Sequence, residues 1–151
     1  MITIRNTFHI SITVRDMDES LAFYRDILGM KVVKDGILAG ERMDEALSLK
    51  DVRARMVWLE AGEGPCVELL HFMHPAGRRL GRNENDTGIG HVCFEVEDLK
   101  DAYEYIRSKG VRVAFFPETP TVGGILDGYY SFHMLDPNDV NIELKEMVPP
   151  R

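Results

Sequence analysis

The chain has 151 residues, 44% hydrophobic and 28% charged, with a formal net charge of −7, which is the make-up of an ordinary globular protein rather than a fibrous or disordered one. The acidic balance argues against a nucleic-acid or anionic-membrane partner, no apolar run is long enough to span a bilayer, and no basic-then-apolar leader stands at the N-terminus. The two cysteines, Cys66 and Cys93, form no disulfide framework and read as reduced thiols, so a cytoplasmic protein is expected.

Residues 3 to 14 alternate in polarity. Phe8, Ile10, Ile12 and Val14 share one face and His9, Ser11 and Thr13 the other, as side chains do along a strand. Asp16 then stands where a helix N-cap belongs, with Glu19 at capping-box spacing. Leu21, Phe23, Tyr24, Ile27 and Leu28 form a helical apolar stripe. Gly29 ends it, and Met30 to Val33 start the next strand. Residues 34 to 51 have glycines, mixed charge and no clean period, and are expected to be a loop with one helical turn near Met43 to Leu47. VRARMVWLEAG is a strand, GEGP a turn, and CVELLHF the return strand of a hairpin. On that last strand Cys66, Glu68 and Leu70 share a face.

The polar stretch MHPAGRRLGRNENDTG, residues 73 to 88, is the expected linker. Val92, Phe94 and Val96 then line one face of a strand, with His91, Cys93 and Glu95 on the other. Asp98 caps a helix that runs to about Lys109 and stops at Gly110. VRVAFF is a strand, residues 117 to 128 are a loop whose glycines permit a lid, YYSFHML is a strand, DPND a turn, and VNIELKEM the last strand.

The chain therefore writes one unit twice. FHISITVRDMDESLAFYRDILGMKVV returns as GHVCFEVEDLKDAYEYIRSKGVRVAF: His9 aligns with His91, Asp16 with Asp98 and Arg25 with Arg107, each at an offset of 82 residues, and Gly29 with Gly110 at 81. The expectation is an α+β fold of two tandem βαβββ modules, about residues 3–72 and 89–148, which together form a curved, cup-shaped mixed sheet with helices outside. Each module carries a histidine on its first strand and a glutamate on its last: His9 with Glu68, and His91 with Glu143. All four lie opposite the apolar face of their strand and so point into the expected cup. A carboxylate facing a core without a partner is costly. Two imidazoles and two carboxylates converging there make a divalent metal site, and that donor set suits nickel, cobalt, manganese, zinc or ferrous iron.

HISITVRDMDESLAFYRDILGM, GHVCFEVEDL and DPNDVNIEL resemble hallmarks of the vicinal oxygen chelate superfamily, the group of glyoxalase I, methylmalonyl-CoA epimerase, extradiol dioxygenases and fosfomycin- and bleomycin-resistance proteins. The resemblance covers nearly the whole chain and makes residues 1–151 a single domain of two modules. By position it carries the family's metal ligands onto His9, Glu68, His91 and Glu143. Dioxygenases and fosfomycin-type transferases leave the last strand of the first module without a ligand. Glyoxalase I and the epimerases fill it with Glu or Gln, so Glu68 favours the isomerase and lyase branch. The resemblance implies a small oxygenated substrate chelated through its carbonyl, an enediolate formed on proton loss, Glu143 as the first choice of base and Glu68 as the second, and a homodimer. An extradiol-dioxygenase-like metalloenzyme and a small-molecule binding or resistance protein are the alternatives.

Two departures stand out. Methylmalonyl-CoA epimerases carry a further catalytic glutamate before the third strand, where this chain reads LSLKDV with Asp51 nearby, and Asp139 replaces the turn glycine of the usual DP-D-G-x-x-IEL ending. Cys93 and Cys66 are read as lining, His71 as structural, and His133 as open to either face; His74 follows Glu68 without an assigned role. Arg53 and Arg55 are candidates for holding an anionic substrate group, with solvated strand positions as the plainer reading.

Overall fold

The duplicated sequence folds as two α+β units, each around its own mixed sheet. The computed structural model describes residues 2–79, 87–88, 90–113 and 115–147. Residues 80–86 of the expected linker therefore lie outside the described residues. The chain divides into Met1–Leu80 and Gly81–Arg151.

In the first unit β1 (His9–Thr13) leads into α1 (Met17–Leu21), which continues as a π-helical turn over Ala22–Ile27. Then follow β2 (Lys31–Ala39), α2 (Glu41–Leu47), β3 (Arg53–Glu60) and β4 (Cys66–His74). The sheet order is β1-β4-β3-β2, with β1 parallel to β4 and the other pairs antiparallel. Asp16 caps α1 as its position indicates: its Oδ1 accepts from the backbone N–H groups of Asp18 and Glu19, each at 2.9 Å. Gly29 turns the chain out of the helix at φ +72°, a backbone conformation that residues with a side chain rarely adopt.

Alternation then sorts the side chains. Val57, Leu59, Val67 and Leu69 are fully buried on the face that α1 covers, where Met17, Leu21, Phe23 and Tyr24 are also buried. Each large apolar side chain so buried stabilises the unit by about 1.5–3 kcal/mol relative to exposure. Glu68 and Trp58 pair directly and share the opposite face, with Ser11 of β1 beside Glu68.

Two expectations change in this unit. Strand β1 is shorter than residues 3 to 14: the chain before His9 pairs with nothing among the described residues, and Ile2 and Ile4 are 89% and 83% exposed. The segment read as a loop from residue 34 is instead β2 up to Ala39, and the helical turn expected near Met43 to Leu47 is α2, which starts at Glu41. An edge strand with both faces in contact with solvent has no reason to alternate, so β2 left no period to read. Its order comes from backbone pairing with β3 and from Arg55, whose guanidinium grips Asp35 at 2.8 and 3.1 Å. Helix α2 is tied down by Asp44, which accepts from the backbone N–H groups of Asp51 and Val52 at 2.9 and 2.7 Å. Asp51 is thereby a turn residue with φ +54°.

In the second unit β5 (His91–Glu95), α3 (Leu99–Ser108), β6 (Tyr129–Leu135) and β7 (Asn141–Met147) give the sheet order β5-β7-β6, with β5 parallel and β6 antiparallel to β7. Helix α3 packs on β6 and β7 over Phe132, Met134, Ile142 and Leu144, with its own Leu99 and Ile106 buried. Asp98 caps it by accepting from Asp101 N–H at 2.8 Å, and Glu146 of β7 accepts from Leu99 N–H at 2.9 Å. The expected strand VRVAFF is reduced to a bridge between Val113 and Met134, with residue 114 outside the described residues. Phe116 instead stacks on Tyr103 of α3, ring centroids 4.2 Å apart. Asp139, in place of a turn glycine, keeps the left-handed backbone at φ +63°, which Asp tolerates better than most residues. Residues 117 to 128 close on themselves: Thr121 and Tyr129 are bonded at 2.8 Å, and Asp127 accepts from Gly123 N–H at 2.6 Å. Among the described residues no helix is long and apolar enough to cross a membrane.

Candidate functional site

Glu68 and Glu143 occupy corresponding places. Each lies on the last strand of its unit, on the face away from the helix, and each is buried, at 8% and 1% exposure. Each has one carboxylate oxygen tied to an aromatic side chain. Trp58 Nε1–H donates to Glu68 Oε1 at 2.8 Å, and Tyr129 O–H donates to Glu143 Oε1 at 2.6 Å. The other oxygen faces the histidine of the parallel neighbouring strand. His9 Nε2 is 3.7 Å from Glu68 Oε2, and His91 Nε2 is 3.2 Å from Glu143 Oε2. The sequence pairings His9 with Glu68 and His91 with Glu143 are therefore brought together within each unit. Among the described residues no group of three or more His, Cys, Asp or Glu side chains that could hold a metal ion gathers.

The electrostatics of Glu143 are the more pronounced. Burial alone would raise its pKa, but hydrogen bonds from Tyr129, Ser131 and Cys93 and the nearby His133 bring it below the usual carboxylate value. Its charge acts on the neighbours in turn. The Cys93 thiol is pushed up to about 12 by burial, then by its hydrogen bond to Glu143 and that group's charge. The Tyr129 phenol is also raised to about 12, first by the hydrogen bond it donates to Glu143, then by burial. Both stay protonated at neutral pH and serve as donors to Glu143.

His133 is the residue that sequence reading left open. It pairs directly with Glu143, with Nε2 3.9 Å from Glu143 Oε1 and Nδ1 3.1 Å from Asn141 Oδ1. Its ring meets His91 edge to face at 5.2 Å. One signal could have placed it: the offset of 75 that carries Glu68 onto Glu143 also carries Trp58 onto His133. Tyr129 has no such counterpart, because the first unit holds Ala54 at that register. Its place as a donor needed coordinates.

In the first unit Trp58 is also the centre of an aromatic group. Phe8 meets it edge to face at 5.5 Å, His9 lies 5.6 Å away, and Lys34 Nζ sits 4.7 Å from its ring centroid. A crevice of about 400 Å³ opens beside Phe8, Pro65 and Cys66. Arg55 takes no part in this face. It pairs with His71 across the strands, on the helix side, and binds Asp35 and Asp18 there. His71 is on that same side, and His74 Nδ1 contacts Asp51 O at 2.9 Å at the end of β4.

The histidine and glutamate of each unit match, as a pair, the donor types and spacing of two ligands on a divalent cation. Nitrogen and oxygen ligands at about 2.0–2.2 Å from one ion stand about 3.0–3.5 Å apart, close to the 3.2 Å of His91 and Glu143 and somewhat under the 3.7 Å of His9 and Glu68. Among the described residues the ion-pair partners of Glu143 are two histidines, His91 and His133, rather than Lys or Arg. A carboxylate with 1% exposure is well placed to receive positive charge.

A family model described as the Glyoxalase/Bleomycin resistance protein/Dioxygenase superfamily matches residues 7–144. A 2-epi-5-epi-valiolone epimerase from Actinomyces is 33% identical over 78% of this chain and 66% of its own length. A probable lactoylglutathione lyase from Synechocystis is 30% identical over 90% of the chain and 91% of its own length. By contrast the chain covers 36% of a Schizosaccharomyces pombe lactoylglutathione lyase that it matches at 27% identity. Among solved structures, a glyoxalase family protein from Bacillus cereus matches with a TM-score of 0.82 at 18% identity, covering 98% of this chain and 97% of the other. Glyoxalase I from Leishmania major matches with a TM-score of 0.68 at 24% identity over 95% and 88%. These two show the fold. With the family-model match over most of the chain and the repeated histidine and glutamate positions, the chain belongs to the Glyoxalase/Bleomycin resistance protein/Dioxygenase superfamily, the vicinal oxygen chelate group.

Proposed function

We propose that this chain is a divalent-metal-dependent isomerase or lyase of glyoxalase I-like or epimerase-like type, acting on a small oxygenated substrate with a C–H bond next to a carbonyl. The observation that carries the reading is the repeated glutamate: in each unit a buried carboxylate is held by one oxygen and turns the other to a histidine. His9 and Glu68 of the first unit and His91 and Glu143 of the second are the ligands. When bound, the ion supplies Lewis-acid polarisation of the substrate carbonyl.

Glu143 is the base. Its Oε1 is occupied by Tyr129, so Oε2 is the atom that takes the proton from the carbon beside the carbonyl. The electron pair of the broken C–H bond moves toward the carbonyl oxygen. Return of the proton to the same carbon exchanges or inverts it, and return to the neighbouring carbon isomerises the substrate. Glu68 is the second acid–base candidate. Relatives named as epimerases and lactoylglutathione lyases support this class. The partner proposed besides substrate is a second copy of the chain.

The test is deuterium exchange from D₂O into methylmalonyl-CoA and into the methylglyoxal–glutathione adduct, with protein loaded in turn with nickel, cobalt, manganese, zinc and ferrous iron. Exchange is expected with at least one metal, and Glu143→Gln should lower it by about 10²- to 10⁴-fold. Full exchange by that variant would remove Glu143 from the role.

A further inference from the structure

The two glutamates are held by different routes. Trp58 stands directly across from Glu68 and reaches it sideways. Tyr129 does not stand across from Glu143. It pairs with Met147, four residues along β6 from His133, which does pair with Glu143. The phenol reaches back along the strand face and spans that distance to donate at 2.6 Å to Oε1. Lys145, on the same face, lays its Nζ 4.1 Å from the Tyr129 ring centroid. The ring is thus fixed by a cation on one face while its hydroxyl is directed at the carboxylate. A cation over the ring also draws electron density from the phenol and strengthens its O–H as a donor. Glu143 accepts this bond at 1% exposure, where water offers little competition.

We propose that Tyr129, steadied by Lys145, is a positioning residue that fixes the rotation of the Glu143 carboxylate and so keeps Oε2 turned to the histidine side. The inference rests on Glu143 being the ligand and base assigned above. A hydrogen bond of 2.6 Å to an ionised oxygen is in the short, charge-assisted range. Ser131 and Cys93 also donate to this carboxylate, and the 2.6 Å bond from Tyr129 holds Oε1, which leaves Oε2 facing His91. Groups that hold a ligand from behind in this way tune affinity nearly as strongly as the ligands themselves.

The experiment is zinc binding by calorimetry on the full chain as wild type, Tyr129→Phe, Tyr129→Leu and Glu143→Ala, with urea unfolding of each. Tyr129→Phe keeps the ring and its contact with Lys145 and removes only the hydroxyl. It should weaken zinc binding by about 10- to 100-fold, and Tyr129→Leu should be no better. Tyr129→Phe binding zinc within about twofold of wild type, while Glu143→Ala has lost it, would overturn the positioning role and leave the role of Glu143 intact. A Glu143→Ala variant that binds zinc as the wild type does would overturn both. If Tyr129→Leu fails to fold, Tyr129→Phe carries the test unaided.

Discussion

Trp58 and His133 occupy the same register in their units, each directly across from the glutamate of the last strand. One supplies an indole N–H at 2.8 Å to Glu68 and the other an imidazole 3.9 Å from Glu143. The duplicated scaffold therefore keeps a nitrogen-bearing ring beside each carboxylate while the residue type differs.

Trp58→Phe should keep the aromatic packing with Phe8 and His9 and leave Glu68 Oε1 without its donor. A buried acceptor stripped of its partner costs about 1–3 kcal/mol. The urea midpoint should fall accordingly, with the denaturant slope unchanged.

The two histidines near Glu143 should not be equivalent. His91 Nε2 is 3.2 Å from Oε2, the oxygen that Tyr129 leaves open, while His133 already has Asn141 on its other nitrogen. His91→Ala is expected to weaken zinc binding more than His133→Ala, by about tenfold or more, as read by calorimetry. Equal losses would mean that both imidazoles hold the ion.

Stability on the acid side should depend on Asp35. Its hydrogen bonds to Arg55, then the charge of that guanidinium, hold its carboxyl below the usual value. A group whose pKa is lowered on folding contributes stability above its unfolded pKa of about 3.9 and loses it as pH falls through the folded one. The difference in stability between wild type and Asp35→Asn should be constant at neutral pH and shrink below about pH 4. Exposure of both partners keeps the effect small.

Leu69→Ala probes the other face of β4. Leu69 is fully buried one residue from Glu68, on the side that α1 covers. The truncation should lower stability by about 2–5 kcal/mol and leave zinc affinity at temperatures below unfolding nearly unchanged.

Much of the fold was legible because its strongest signals are local and written twice. The Asp16 and Asp98 caps, the glycine stops at Gly29 and Gly110, and the alternation on β4 and β7 each follow from backbone geometry that any chain must obey. So does the placing of His9 beside Glu68 and of His91 beside Glu143: strand parity put each pair on one face, and parallel pairing brought them near. Strand β2 was hidden because its side chains face solvent and its order comes from backbone pairing and the Arg55–Asp35 contact. Arg55, a substrate candidate whose plainer reading is a solvated strand position, lies on the helix side and binds Asp35 and Asp18. Tyr129 was hidden for a different reason. Its hydroxyl reaches Glu143 diagonally, across a distance that no spacing rule in a single strand encodes.

The central claim is that His9, Glu68, His91 and Glu143 are metal ligands, and calorimetric titration of zinc into wild type and the four single alanine variants tests it most directly. Each variant is expected to bind more than about 100-fold more weakly than wild type, beyond what loss of a supporting contact causes. Wild-type protein that takes up no divalent ion, or a Glu68→Ala variant that binds as tightly as wild type, would contradict the account.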